Sequence, residues 1–300
     1  MKVGLVTLHY KNLEDTLDLL KSLSKCTIPK GFELKLYVVD NSNEVDLGEK
    51  LSKFKVSFQL ITNKENTGFT GGNNLGFKQA LDDGMEFIGT INNDTFVDSN
   101  FLKAIFESPL TDKSVGLVGG LIYFAPGFEF HKNYKKSELG KVIWYAGGIF
   151  DYNNVLGSHS MVDLVDSGDL SAPFETQFIT GCFFIARREI FEKYGLFDNN
   201  YFMYLEDVDF SHRLELAGLK LMVDPNIKIW HKVARGTGIG SSQNDYYITR
   251  NRLYFGFKFL GLRTKIALLR EGIKNLVLGS SQKKKAFLDF IIHRMGRQNY

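Results

Sequence analysis

The chain has 300 residues, 44% hydrophobic and 24% charged, an ordinary balance for a globular protein and enough for one large domain or two unequal ones. Net charge is only +3, which alone says little about partners. Two cysteines, Cys26 and Cys182, lie far apart with no CxxC or zinc-ligand spacing, so neither a disulfide framework nor a structural zinc site is expected, and both read as reduced. No apolar run approaches the roughly 18 residues of a membrane span.

In chain order, 3–8 (VGLVTL) is a short apolar run rich in β-formers; it is too short for a signal peptide. A helix is predicted over 13–23, with Leu13, Leu17, Leu20 and Leu23 on one face. Strands follow at 34–42 (LKLYVVDNS), 56–63 and 87–94 (FIGTINND), and a helix begins near 71. The opening is therefore β-α-β-(α)-β-α-β, the pattern of a parallel sheet covered by helices. Further on, 115–124 reads as a strand with a glycine break, 144–152 as a strand, and 153–172 as a polar loop. A strand runs into a helix over 178–195, a second helix spans 203–218, and 219–232 is strand-like in two pieces. The composition shifts to basic and helical after about 235–245, and we divide the chain into 1–240 and 241–300.

Ligands of open α/β sheets bind beyond the carboxyl ends of the strands. Here those ends carry Thr7 to Tyr10, Asp40 to Ser42, Asn63 to Asn74 and Asn92 to Thr95, four polar loops that also suit ordinary turns. Asp94 in Asn92-Asn93-Asp94-Thr95 is a hard oxygen donor suited to Mg²⁺ or Mn²⁺; it equally suits the cap of a helix starting near Asp98. Glu206-Asp207-Val208-Asp209 puts three acids in four residues, an arrangement that raises pKa values when buried and suits proton transfer, or simply complements a helix N-terminus. His231, at the end of a strand, is a possible nitrogen ligand or a structural imidazole. Asn66 to Gly76 is a Gly/Asn-rich turn into a helix that lets backbone N–H groups approach a phosphate or sugar. It matches neither the P-loop nor the GxGxxG dinucleotide pattern.

The ordered motifs VTLHY, VVDNS (38–42), NTGFTGGNNLG (66–76), INNDT (91–95), WYAGG (144–148), FITGCFFIARREIFEKYGLFD (178–198), FMYLEDVDFSHRLELAG (203–218) and IWHK (229–232) together resemble the family 2 inverting glycosyltransferases of the GT-A fold, in their rhamnosyltransferase-like branch. The resemblance covers the first 235–255 residues. It implies a Rossmann-like, mostly parallel α/β sheet flanked by helices, followed here by a basic helical C-terminal extension. It assigns Asp207 as catalytic base with Glu206 beside it, and Asp94 and His231 as ligands of a divalent cation, Mn²⁺ or Mg²⁺. Thr7, His9, Tyr10, Asp40, Asn66, Gly68, Phe69, Asn74, Asn92 and Asn93 then face the nucleotide donor, and Gly147, Gly148 and Asp209 the sugar or acceptor. The chain departs from the family's DxD pattern at Asn92. One negative charge is lost there, so the metal is expected mainly as its nucleotide complex.

The resemblance further implies a dTDP- or UDP-linked sugar donor and a glycan or lipid-linked glycan acceptor. From Arg250 onward twelve Lys/Arg face two acids, Glu271 and Asp289. Interleaved with Leu, Phe and Ile, such helices suit an anionic membrane surface at about 1 kcal/mol per basic residue, a solvated face on the catalytic domain, or a homodimer contact. A cytoplasmic enzyme, peripheral at the inner face of the membrane, is the expectation. No nucleic-acid-binding motif is present, so nucleic acid is not an expected partner. Two other readings are an NDP-sugar nucleotidyltransferase, which would carry a Gly-rich basic loop after the first strand, and a non-catalytic sugar-nucleotide or glycan-binding protein.

Overall fold

The short apolar runs of the N-terminal half form a parallel block in the computed structural model, which describes residues 1–233 and 242–298. The strands are β1 (Lys2–His9), β2 (Glu33–Asp40), β3 (Phe58–Thr62) and β4 (Phe87–Ile91), connected through helices α1 (Leu13–Leu23), α2 (Leu47–Leu51) and α3 (Gly68–Asp82). After β4 come β5 (Thr95–Val97), α4 (Phe101–Glu107), β6 (Val115–Phe124), β7 (Ile143–Tyr145), β8 (Gly148–Asp151), β9 (Leu156–His159), β10 (Phe174–Glu175) and β11 (Phe183–Arg187). Then follow α5 (Arg188–Tyr194), α6 (Glu206–Leu216), β12 (Lys220–His231), α7 (Ser242–Phe259), α8 (Leu262–Leu278) and α9 (Ser281–Ile291). The main sheet runs β10-β12-β6-β11-β4-β1-β2-β3. β1 is parallel to β2 and β4, β2 to β3, and β6 to β12; antiparallel β11 joins the two parallel blocks. This is the GT-A arrangement of a mostly parallel sheet flanked by helices. The expected division at residue 240 lies outside the described residues.

Helix α3 starts at Gly68, ahead of the expected position, because Asn66 Oδ1 accepts the Gly68 N–H at 2.8 Å and Gly68 sits at φ +75°. One helical face carries Gly68, Gly72 and Gly76. A Cβ on Gly72 would overlap Leu8, and one on Gly76 would overlap Val6. Gly72 and Gly76 thus let α3 lie directly on β1.

Four local expectations are corrected. Gly119 and Gly120 do not break β6, all ten residues of which are buried; a Cβ would meet Ile179 Cγ2 at 2.8 Å or the Ile227 carbonyl at 2.5 Å, so neighbouring chains approach closely there. The 144–152 segment is two strands, turned at Gly147 with φ +91°. The polar stretch after it carries β9, which pairs with β8, and Asp166, which accepts the Tyr123 hydroxyl at 2.6 Å. The two pieces of 219–232 are one strand, with its register shifted between Asp224 and Lys228, where Pro225 is accommodated at the irregularity.

The basic extension also packs on the rest of the chain. Leu253 and Phe255 of α7 join the main core, with Phe255 5.0 Å from Phe150 between ring centroids. Among the described residues no helix is long and apolar enough to cross a membrane.

Candidate active site

The carboxyl ends of the parallel strands bring together several of the residues singled out above. Thr7 and His9 end β1 beside Asp40 of β2, with His9 paired to Asp40 in register. His9 Nδ1 is 2.8 Å from Thr16 Oγ1, which accepts Asn93 Nδ2 at 3.0 Å. Burial pulls the His9 imidazole below its ordinary pKa against the opposing pull of Asp40 and Glu44. Thr7 Oγ1 and His9 Nε2 are buried without a hydrogen-bond partner. Asp40 already accepts from Ser42 N, Ser42 Oγ and Glu44 N at 2.8–3.0 Å, so it shapes the turn that ends β2. Tyr10 stands exposed at the mouth.

Asp94 does not cap a helix. β5 follows it at once, and α4 begins only at Phe101. Instead β5 pairs with β12, and His231 Nε2 comes to 3.1 Å from Asp94 Oδ1. The approach lacks hydrogen-bond geometry: Asp94 Oδ1 and His231 Nδ1 are both buried without a hydrogen-bond partner. Burial lowers the His231 pKa, but Asp94 and then Cys182 outweigh it and hold it well above the ordinary value. Trp144 lies edge-on to both His231 and His159, each at 4.5 Å between centroids, and burial drops His159 to about 4. An oxygen and a nitrogen donor this close, with an orphaned carboxylate oxygen, fit a shared divalent cation. Among the described residues no set of three or more His, Cys, Asp or Glu side chains surrounds such an ion.

Asp207 lies at the start of α6. Its Oδ2 accepts the Gly181 N–H and its Oδ1 the Val208 N–H, both at 2.8 Å. Burial raises its carboxyl pKa, and those backbone bonds oppose the rise. Glu206 is buried, Oε2 has no partner, and burial followed by the Asp207 charge pushes its pKa well up. Gly181 leads directly into Cys182, whose carbonyl accepts Asn92 N at 2.9 Å. One dipeptide therefore links the half-buried Asp207 carboxylate to the Asn92–Asp94 turn.

Residues 6–195 match the family model described as Glycosyl transferase family 2. The chain belongs to this family. The N-acetylglucosaminyl-diphospho-decaprenol L-rhamnosyltransferase of Mycobacterium tuberculosis is 40% identical over 60 residues, 20% of each chain. Among solved structures, GalNAc-T7 with UDP, GalNAc and Mn²⁺ aligns with a TM-score of 0.68 at 18% identity, over 97% of this chain and 54% of that one. The mannosyltransferase PcManGT of Pyrobaculum calidifontis, with GDP-Man and Mn²⁺, aligns with a TM-score of 0.56 at 13% identity, over 97% and 74%. The chain thus matches a fifth of the curated relative and spans about half of GalNAc-T7.

Several residues expected at the donor or acceptor make contacts within this family 2 chain. Asn74 is buried and bonds Phe197 O, Asn199 Oδ1 and Phe197 N at 2.8–3.1 Å, tying α3 to the 197–199 segment. Asp209 is fully buried, with Arg213, Tyr201 and Lys258 on its oxygens. Gly148 is needed because a Cβ would overlap Phe178; Gly147 makes the turn before it. Asn93 is turned toward Thr16, and the side chain of Asn66 closes its own turn. Gly68 abuts the Phe202 carbonyl, while Phe69 lies against Gly181, where a Cβ would be 3.0 Å from its ring, so it does border the Asp207 site. The residues not anticipated are Thr16, Trp144, His159 and Gly181. Gly181 and Trp144 stood inside quoted motifs, but no spacing rule marks a backbone N–H or a ring edge as functional.

Proposed function

We propose that this family 2 member is a metal-dependent inverting glycosyltransferase that moves a sugar, rhamnose first among the candidates, from a dTDP- or UDP-linked donor to a hydroxyl of a growing, lipid-linked bacterial surface glycan. The observation that carries the reading is the link through Gly181 and Cys182 between Asp207 and the Asn92–Asp94 turn. On this reading Asp207 would be the proton acceptor and the Asn92–Asp94 turn would lie at the leaving diphosphate. The relatives support the donor class and the ion: two fold neighbours are described with UDP or GDP-Man and Mn²⁺, and the M. tuberculosis relative is named a rhamnosyltransferase.

Asp94 and His231 would hold the ion. Bound there with the donor, a divalent cation supplies Lewis-acid stabilisation of the diphosphate charge. Asp207 takes the proton of the acceptor hydroxyl as its oxygen bonds to the anomeric carbon from the face opposite the diphosphate. The bond to the diphosphate breaks with its electron pair, and one displacement inverts the centre. Gly181 N–H and Val208 N–H hold the Asp207 carboxylate in place, while burial keeps it more basic than an exposed one.

The extension suggests where the enzyme works. On α8, Leu262, Ile266, Ile273 and Val277 form an exposed apolar row, and at 100° per residue Arg263, Arg270 and Lys274 run alongside it. Leu288 and Ile291 of α9, and Ile292 just after it, are exposed as well. We place the enzyme peripherally on the cytoplasmic face of the membrane through this surface.

The test is incubation with dTDP-rhamnose and UDP-sugars, with and without Mn²⁺ or Mg²⁺, reading nucleoside-diphosphate release. Thermal stabilisation by each free nucleoside diphosphate is measured in parallel. Metal-dependent release supports the reading. A folded protein that releases nothing and is stabilised by no nucleoside diphosphate would overturn it.

A further inference from the structure

The loop that delivers Asp207 is held in an unfavourable backbone shape. Phe202, Tyr204 and Leu205 all have φ +68°, and none is glycine. Such conformations persist only where the surroundings over-determine them. Leu205 immediately precedes α6, so the strain ends where Glu206 and Asp207 begin.

What over-determines the loop comes from the C-terminal extension. Asn251 of α7 is fully buried and donates its single amide group toward three carbonyls: Tyr201 at 3.1 Å, Met203 at 2.7 Å and Tyr204 at 2.9 Å. Arg250, also fully buried, donates to the carbonyls of Asn200, Tyr201 and Gly296, and grips the Asn251 Oδ1 that orients the amide. One turn on, the Tyr254 hydroxyl donates to Asp198 and accepts from Asn200. Two turns on, Lys258 bridges Asp198 and Asp209. Tyr247 stacks on Phe202 at 5.0 Å, and the Phe202 carbonyl in turn accepts the Thr70 N–H at 3.1 Å in the donor-side motif.

We infer that Arg250 and Asn251 are positioning residues for glycosyl transfer: α7 clamps the 200–205 loop so that Asp207 meets the acceptor hydroxyl in line with the donor. This rests on Asp207 being the base. The extension then completes the catalytic centre as well as any role it has at a surface. A guanidinium and a neutral amide, both donating to carbonyls from a helix outside the sheet, have a chemical purpose here. Three carbonyls of the turn converge on Asn251, and a primary amide and a guanidinium are the side chains with enough donors to satisfy such a group.

The test uses the full chain with Asn251→Ala and Asn251→Asp. Asp keeps the shape but replaces the donors with an acceptor aimed at carbonyls. Arg252→Ala is the control; it lies next door on α7 but bonds Val155, Asn154 and Glu271. Misplacement of a reacting group by about 1 Å costs on the order of 100-fold in rate. The expected result is a kcat loss of that order in both Asn251 variants, with donor KM and nucleotide-induced stabilisation nearly unchanged, and a kcat in Arg252→Ala close to the original. A loss that merely follows the folded fraction, or equal losses in the control, overturns the inference. If the Asn251 variants do not fold, Tyr254→Phe decides: a several-fold fall confined to kcat supports the clamp, and unchanged kcat overturns it. Asp207→Asn, assayed alongside, separates the two claims. Full activity in that variant removes the base assignment, whereas inactivity there with normal kcat at position 251 removes only the clamp.

Discussion

His231 Nε2 stands 3.1 Å from Asp94 Oδ1 without forming a hydrogen bond to it, and the remaining imidazole nitrogen is buried without a partner. On the proposed reading these two donors would hold the divalent cation. Asp94→Asn and His231→Ala should therefore abolish the Mn²⁺-dependent part of the thermal shift given by dTDP or UDP. Stabilisation by a ligand at 100 times its Kd is about 2.7 kcal/mol, large enough for the loss to be unambiguous. An undiminished metal-dependent shift in both variants would place the ion elsewhere.

Asp207→Asn should lower kcat by roughly 10²–10⁴-fold, the usual contribution of a general base, while leaving the nucleotide-induced shift intact. The original enzyme should lose rate as pH falls through the Asp207 pKa, because the base must be ionised. Burial has raised that pKa, so the acid limb should lie above the ordinary aspartate value of about 3.9. A pH–rate profile flat down to pH 4 contradicts the assignment.

Glu206 makes a prediction about stability. Its pKa in the fold is raised well above the ordinary 4.5 by burial and then by Asp207. Between the unfolded and folded values the native state holds a proton that the unfolded chain has released. Stability therefore falls as pH rises through that window. Glu206→Gln removes this penalty. Its melting temperature should exceed the original at pH 7–8, with the difference shrinking toward pH 4.5. A constant difference across that range would show that Glu206 is not the titrating group.

The strands and helices were legible because their apolar periodicity is regular. Leu13–Leu23 was read with the bounds the helix has, and the β1, β2 and β4 ends placed Thr7, Asp40 and Asp94 correctly at the sheet's carboxyl edge. Legibility stopped where meaning depends on partners distant in sequence. Asp209 looks like its neighbour Asp207, and only Lys258 and Arg213 show it to be neutralised. Asn74 looks like a loop ligand until Phe197 and Asn199 appear on either side of it. The count of basic residues in the tail suits a membrane surface, a solvated face on the catalytic domain or a dimer contact alike, yet the guanidinium of Arg250 is among the most buried side chains in the molecule. Charge counts do not reveal which cations point inward.

The surface role of that tail needs variants other than truncation, because cutting near residue 240 also removes Arg250, Asn251 and their bonds to the Asp207 loop. Ile273 and Val277 are 58% and 74% exposed on α8, so replacing both with Asp leaves the core untouched while placing two negative charges beside Arg270 and Lys274. Exposed apolar side chains and neighbouring cations act together at an anionic bilayer, and each basic residue contributes about 1 kcal/mol near the surface. The full chain should float with phosphatidylglycerol-containing liposomes and less with neutral ones, and Ile273→Asp/Val277→Asp should stay in the aqueous fraction with its solution kcat unchanged. If this double variant floats as well as the original, α8 is not the membrane contact. If the original fails to float but sediments as a dimer that the double variant splits, the same apolar row is an interface between two copies of the chain.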